Sequence, residues 1–262
     1  MKSPQLSVCV DDLQLEIKAS LHHARDLGFR AVDVKATAGP ISPAELTGTG
    51  RRHLLRHLSD LGLRLGSLRG PADATGYGDG ASGERRLEVM RRIIELSSAL
   101  RVPVVSTSLG RLGEDESETT RIYGALEILA ADADRLGVNV AIETAGVGVA
   151  ELSDMLRKLN CPSISACCDS GAMLMRGEDP HLVGDVLAGR VHLVRARDAV
   201  AGSASAAGYE VPQGEGHLQL APFLGGLAEA GFQQDIVLSR TSGSSRAADL
   251  LMAKKQFEEL IA

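Results

Sequence analysis

The sequence predicts a single (β/α)8 barrel, an α/β fold running through residues 1–262. Eight short runs rich in β-branched residues alternate with eight longer helical patterns, which implies right-handed crossovers and a parallel sheet. Eight such units in 262 residues is the amount of chain a closed barrel needs. An open doubly wound sheet is the competitor. No Gly-x-Gly-x-x-Gly follows the first strand, and no shift of composition marks a second domain.

The first strand is Leu6–Val10. Asp11 and Gln14 are spaced as a capping box for the helix that follows. Leu13, Ile17, Leu21, Ala24 and Leu27 form its apolar stripe, and Gly28 stops it. The second strand is Ala31–Val34, and its helix opens at Ser42-Pro43-Ala44-Glu45 with Ser42 as cap. The third, Arg64–Leu68, leads into a glycine-rich loop, Gly70–Gly83, and a helix from Glu84 to Leu100. Strands Val102–Ser108 and Val138–Thr144 precede helices Glu116–Leu136 and Val149–Leu159. The sixth strand, Ser163–Ser170, precedes a short helix, Pro180–Leu187. The seventh, Val191–Ala199, is followed by a long loop through Pro212–His217 and a helix, Leu220–Ala230. The eighth is Asp235–Thr241, and the last helix reaches Ile261.

Composition narrows the function classes. A formal charge of −6 argues against a nucleic-acid or anionic-membrane partner, though a local basic pocket remains compatible with it. With no Trp and 3% aromatics, a base-stacking or sugar-stacking surface is not expected. Cys9, Cys161, Cys167 and Cys168 form no C-x-x-C pair and read as reduced thiols. No apolar run is long enough for a membrane span or a secretory leader, so the expectation is a cytoplasmic protein.

In a barrel the chemistry sits at the C-terminal strand ends. Those ends carry Arg69, Glu143, Asp169, Arg195 with Arg197 and Asp198, and Ser239 with Arg240. Side chains alternate along a strand, so Glu143, Asp169, Arg195 and Arg197 can all point into one mouth, while Asp198 points away. An unpaired buried arginine is very costly, so charge pairing is expected. An ion-pair network that merely closes the top of the core explains the same residues.

At this point the chain resembles the xylose isomerase-like TIM barrels, the sugar-phosphate isomerase/epimerase and endonuclease IV superfamily. The resemblance is carried in order by LGFRAVDV, VNVAIET, CCDSGA, VHLVRARDA, QGEGHLQLAPFLGGLAEAGF and DIVLSRT. It implies a divalent metal held by a glutamate of the fifth strand (here Glu143), an aspartate of the sixth (Asp169), a histidine of the seventh and a glutamate of the eighth. It also implies that the two glutamates act as an acid/base pair. Here the histidine position is Arg195 and the second glutamate position is Ser239. Arg69 and Ala172 stand where the family often has further histidines.

A guanidinium has no lone pair for a metal. At about 4 Å it repels a cation by roughly 4 kcal/mol at an effective dielectric near 20. The expectation is therefore no metal, with Arg195 in or near the metal position and paired with both Glu143 and Asp169. Glu143, Asp169 and Arg195 are the candidate catalytic set. Arg69, Arg197, Glu215, Ser239, Arg240 and Ser242 are candidate ligand contacts. Arg240 has the opposite parity to Ser239 and can face the helix layer; Glu215 can equally just form a turn. The loop Ser242–Ser245 fits phosphate binding or plain N-capping of the last helix. The glycine-rich loop fits a lid or a simple connection. His53 and His57 lack a third ligand and read as a solvated helix face.

Two functions stay open. One is an isomerase or epimerase acting on a small anionic sugar or polyol derivative, with Glu143 as base and arginines stabilising an enediolate. The other is a non-catalytic barrel that binds an anionic ligand. Abasic-site endonuclease activity needs a metal cluster and a basic surface, and fits least. A homo-oligomer stays open.

Overall fold

The barrel strands of the computed structural model are β1 (Leu6–Cys9), β2 (Ala31–Lys35), β3 (Arg64–Arg69), β4 (Val104–Thr107), β5 (Asn139–Glu143), β6 (Ile164–Asp169) and β7 (Val191–Ala196). A hairpin of β8 (Asp198–Val200) and β9 (Tyr209–Val211) follows, and β10 (Ile236–Leu238) completes the barrel. All barrel pairings are parallel, and the ring closes where β1 meets β10 and β10 meets β7. The residues described are 4–73, 76–110, 115–187, 189–203 and 206–261. Part of the glycine-rich loop, residues 74 and 75, lies outside them.

The helices are α1 (Ile17–Asp26), α2 (Gly48–Asp60), α3 (Gly80–Leu100), α4 (Glu116–Leu136), α5 (Val149–Leu159), α6 (Ser170–Met175), α7 (Val183–Leu187), α8 (Leu220–Glu229) and α9 (Arg246–Ile261). Their apolar stripes bury residues such as Met90, Ile93, Leu126, Phe223 and Phe257 against the outer faces of the strands. Each such side chain contributes about 1.5–3 kcal/mol. Gly28 ends the α1 turn at φ 79°, a left-handed conformation open to glycine at little cost. Among the described residues no helix is long and apolar enough to cross a membrane.

Several element boundaries differ from the sequence expectation. Asp11 and Gln14 do not form a capping box: Val10–Leu13 is a 3-10 turn that closes on Gln14 at φ 56°. Asp11 instead accepts from the backbone N–H of Lys35 at 2.8 Å. Ser42 does not cap α2. That helix starts later, where Thr47 Oγ1 accepts from Gly50 N at 3.2 Å. The helix α3 begins four residues ahead of Glu84, at Gly80. A short helix, α6, starts directly at the end of β6 with Asp169 as its N-cap, and Pro180–Leu187 divides into a 3-10 turn and α7. The run Val191–Ala199 is not one strand. It breaks at Arg197, and its second half pairs antiparallel with β9.

Inside the barrel lies a separate apolar layer of Cys9, Val104, Ala141, Cys167, Leu193 and Val237. Two residues further along the same strands and the turn after β1 stand Asp11, Ser106, Glu143, Asp169, Arg195 and Ser239. With a side-chain period of two, these share the inward face, so an apolar plug carries a polar layer on top. Asp198 has the other parity and turns into the long loop. Its carboxylate accepts the backbone N–H groups of Ala199, Gly214, Gly216 and Leu218 at 2.8–2.9 Å. A Cβ at Gly216 would lie 2.3 Å from that carboxylate. The motif PQGEGH is thus a backbone cradle around a buried acid.

Removing a buried acceptor leaves its donors unsatisfied, at about 1–3 kcal/mol for each group so exposed. Asp198→Ala is expected to lose at least about 2 kcal/mol in urea unfolding, with Asp198→Asn losing less. Equal stability of Asp198→Ala and wild type would contradict this role.

Candidate active site

Arg195 spans the mouth. From β7 its guanidinium reaches Glu143 Oε1 on β5 with Nη1 at 2.8 Å. Nη2 lies 3.5 Å from Ser106 Oγ on β4 and 3.8 Å from Asp33 Oδ1 on β2. Ser106 Oγ donates to the same Glu143 oxygen at 2.9 Å. Both hydrogen bonds on Glu143 thus fall on Oε1; among the described residues Oε2 takes none. Arg195 and Glu143 are each 3% exposed, and Asp33 is fully buried. Burial opposes the charge on Arg195, but Glu143, then the neighbouring acids, outweigh it and hold its pKa above the ordinary range.

The expected second partner is corrected. Asp169 pairs with Arg197, not with Arg195, even though the backbone register sets Asp169 beside Arg195. Beyond β7 the chain turns, and Arg197 folds back over the start of α6. It donates from Nε to Oδ1 at 3.0 Å and from Nη2 to both oxygens at 2.8 Å. Asp169 Oδ1 also accepts from Ala172 N at 2.9 Å, its helix cap. A Cβ at Gly171 would lie 2.7 Å from Arg197 Cβ, so only glycine admits this arginine. Burial raises the Asp169 pKa; Arg197 and then Arg195 override it, leaving it below the usual value.

Glu210, on the hairpin strand β9, carries the pairing onward. It accepts from Thr241 N at 2.9 Å and from the Thr241 hydroxyl. It also lies 3.5 Å from Arg197 Nη1 and 3.4 Å from Arg240 Nη1. Arg240 is buried, bonds Asp249 on α9 at 2.9 Å and Ser242 Oγ at 3.0 Å, and so does face the helix side. Ser239 Oγ donates to Asp12 at 2.6 Å. On the opposite side, Arg69 touches Asp11 at 3.0 Å, the Cys9 thiol and, at 3.4 Å, Asp33 Oδ1. Burial pushes the Cys9 and Cys167 thiols well up, so they sit neutral below the charges. Glu215 is exposed on a turn closed by its N–H to Pro212 O, and is not brought into the mouth.

Sequence reasoning missed Asp33, Ser106, Asp12 and Glu210. The first two had a signal, a lone polar residue inside an apolar β-branched run (AVDV, VVSTS). Glu210 had none, because a three-residue hairpin strand leaves no periodicity to read.

Three buried polar atoms here lack a hydrogen bond among the described residues: Arg195 Nε, Arg69 Nε and Asp33 Oδ1. The donor set does not fit a divalent cation. Of the four family positions, Glu143 Oε1 is taken by Arg195, both Asp169 oxygens are taken by Arg197, the third is itself a guanidinium, and the fourth is a serine bonded to Asp12. Among the described residues no three His, Cys, Asp or Glu side chains converge as ligands.

A parallel eight-stranded barrel whose polar residues cap the C-terminal strand ends defines a (β/α)8 protein with its site in the βα loops. This chain belongs to the xylose isomerase-like TIM barrel family, whose profile matches residues 21–257. A xylose isomerase domain protein from Planctomyces limnophilus shares the fold at 19% identity, with a TM-score of 0.85 over 99% of this chain and 97% of that one. An L-ribulose 3-epimerase does so at 16% identity and a TM-score of 0.81, over 98% and 94%. A Mycobacterium smegmatis protein of this fold, solved in complex with magnesium, aligns at 13% identity and a TM-score of 0.80, over 99% and 96%. No curated protein gave a match.

Two outcomes follow from the pairing. Breaking a buried ion pair from one side costs about 3–5 kcal/mol, so Arg195→Met is expected to destabilise by that order, and adding Glu143→Gln to recover part of it. Denaturation of the two variants checks this, and no recovery in the double variant would contradict it. The lowered Asp169 pKa contributes stability that is present above the unfolded value of about 3.9 and is lost as pH falls through the folded value. Arg197→Gln should therefore move the acid-unfolding midpoint to higher pH.

Proposed function

We propose that this chain is an isomerase-type barrel acting on a small anionic sugar or polyol derivative, with Arg195 in the role that relatives give to a divalent metal. The observation that carries the reading is the fixed geometry at Glu143. One carboxylate oxygen is clamped by Ser106 and Arg195, and the other takes no hydrogen bond among the described residues. A carboxylate so oriented suits a general base, and a buried guanidinium suits a developing oxyanion.

The step is a proton shift. Glu143 takes the proton from the carbon next to the substrate carbonyl, and the electron pair moves onto the carbonyl oxygen as an enediolate. Arg195 stabilises that charge. Glu143 then returns the proton to the former carbonyl carbon, while the hydroxyl proton passes from the adjacent oxygen to the former carbonyl oxygen, so that the new carbonyl forms one carbon along. One base on one face is sufficient for aldose–ketose isomerisation. Epimerisation needs a second group on the opposite face, and Ser239, bonded to Asp12, is a poor one. Isomerisation is therefore the favoured chemistry. Structural neighbours that include an L-ribulose 3-epimerase and a D-psicose 3-epimerase support a sugar as substrate, and the anionic part of the reading rests on the arginines alone. Free cysteines fit the cytoplasmic reading.

The second reading is a non-catalytic barrel that binds an anionic ligand. The observation behind it is that Glu143 and Asp169 are both held by arginines, which occupy one oxygen of Glu143 and both oxygens of Asp169. A panel of aldose and ketose phosphates and acids, assayed in chelator, separates the two. Turnover that survives chelation and falls by at least about 100-fold in Glu143→Gln supports isomerisation. Thermal stabilisation by a ligand without turnover supports binding alone.

The cation replacement has its own check. Arg195→His combined with Ser239→Glu rebuilds two of the family's ligands and, with Arg197→Gln to release Asp169, is expected to take up Mn2+ in calorimetry, where the wild type takes up none. Stoichiometric metal in the purified wild type would overturn the proposal.

A further inference from the structure

Next to the mouth, over the ends of β2 and β3 and the first turns of α3, lies a cavity of about 590 Å3. Such a volume suits a small molecule. Its walls include Lys35, Thr37, Arg69, Ser82, Arg85 and Arg86. Among the described residues four cations on an acidic protein thus face one cavity, and Asp73 is the single carboxylate in its lining.

The four are not equivalent. Arg86 is buried and committed: it bonds Asp73 at 2.7 Å and the carbonyls of Pro71 and Ser108 at 2.9 Å, and it lies over the Tyr77 ring. It therefore neutralises the cavity's own acid and fixes the loop. Arg69 is held by Asp11 through Nη2 and by Asp33 through its buried Nε, while its Nη1 makes no hydrogen bond among the described residues. The Lys35 ammonium and the Arg85 guanidinium have no ion-pair partner among the described residues. Two free cations and one half-used one remain, with the hydroxyls of Thr37 and Ser82 beside them. Gly70, in the lining, packs directly on the core: a Cβ there would lie 2.6 Å from Met90 Sδ and 2.8 Å from the Ser106 carbonyl.

The geometry points to an oxyanion subsite formed by Lys35, Arg69 and Arg85, which takes the phosphate of a monophosphorylated substrate while the carbon chain extends toward Glu143. Arg69 makes the connection. Through Asp33 it is one contact from Arg195, and its strand neighbour Ser106 holds Glu143. A dianion matches this set better than a single carboxylate does, because the one acid in the lining is already neutralised. The site is distinct from the loop after the eighth barrel strand, where the sequence suggested phosphate binding and from which β1 separates it. There Ser242 is occupied by Arg240. The inference rests on the isomerase reading for the rest of the substrate, and on the cavity alone for its anionic end.

Titration with inorganic phosphate at constant ionic strength tests it. Wild type should bind, and Lys35→Gln/Arg85→Gln should bind at least about tenfold more weakly with an unchanged far-UV spectrum and melting temperature, as expected for charge-assisted bonds at two exposed positions. Glu143→Gln should bind phosphate as the wild type does. Where a phosphorylated sugar is turned over, the double variant should raise KM by a similar factor with kcat nearly unchanged. No phosphate binding by the wild type, or equal binding by the double variant, overturns the subsite. Neither result touches the role of Glu143, which is judged by turnover. Loss of turnover in Glu143→Gln with phosphate binding intact confirms that the two claims stand apart.

Discussion

The bond between Arg195 and Glu143 is the constraint around which the upper barrel is arranged. A guanidinium carried on an inward-facing strand position has no route to bulk water. Its desolvation costs several kcal/mol, and only close acceptors offset that. Glu143 supplies the charge, Ser106 fixes the carboxylate, and Asp33 adds a second acid across the lumen. Once Arg195 takes these three, Asp169 needs another cation, and the chain provides Arg197 by breaking the strand at that residue.

Two strings of alternating charge result. One runs Glu143–Arg195–Asp33–Arg69–Asp11 across β5, β7, β2 and β3 to the turn after β1. The other runs Asp169–Arg197–Glu210–Arg240–Asp249, from the end of β6 through the hairpin to α9. They differ in character. The second is closed by multiple bonds and ties loops and helices to the barrel. The first is held by fewer and longer contacts, leaves Glu143 Oε2 and Arg195 Nε without a hydrogen bond among the described residues, and ends at Arg69 beside the cationic cavity. The two strings thus differ in how tightly they are closed.

The barrel itself was legible because its strands are short apolar runs, most of them with β-branched residues, and periodicity of two or 3.6 survives in the sequence even where boundaries blur. Glu143, Asp169, Arg195 and Arg197 were legible as a converging set from strand parity alone. Which arginine takes which acid was not, because parity says where a side chain starts and not how far a long flexible one reaches. The same limit hid Asp33, which contacts Arg69 and Arg195 from strands far apart in the chain. Local signals also misled where tertiary demands were stronger. Asp11 has the spacing of a cap but is drawn to Arg69 and the Lys35 amide, and Ser42 is displaced as cap by Thr47. The PQGEGH stretch drew notice for its glutamate, whereas its glycines matter more, since they let three amides close on Asp198.

The contact between Gly171 and Arg197 has a consequence for exchangeability. Arg197 can lie over the start of α6 only because position 171 carries no Cβ, and from there it holds both oxygens of Asp169. Any side chain at position 171 would therefore press on Arg197, and a defect just beyond the barrel rim would be felt at the carboxylate two residues before it.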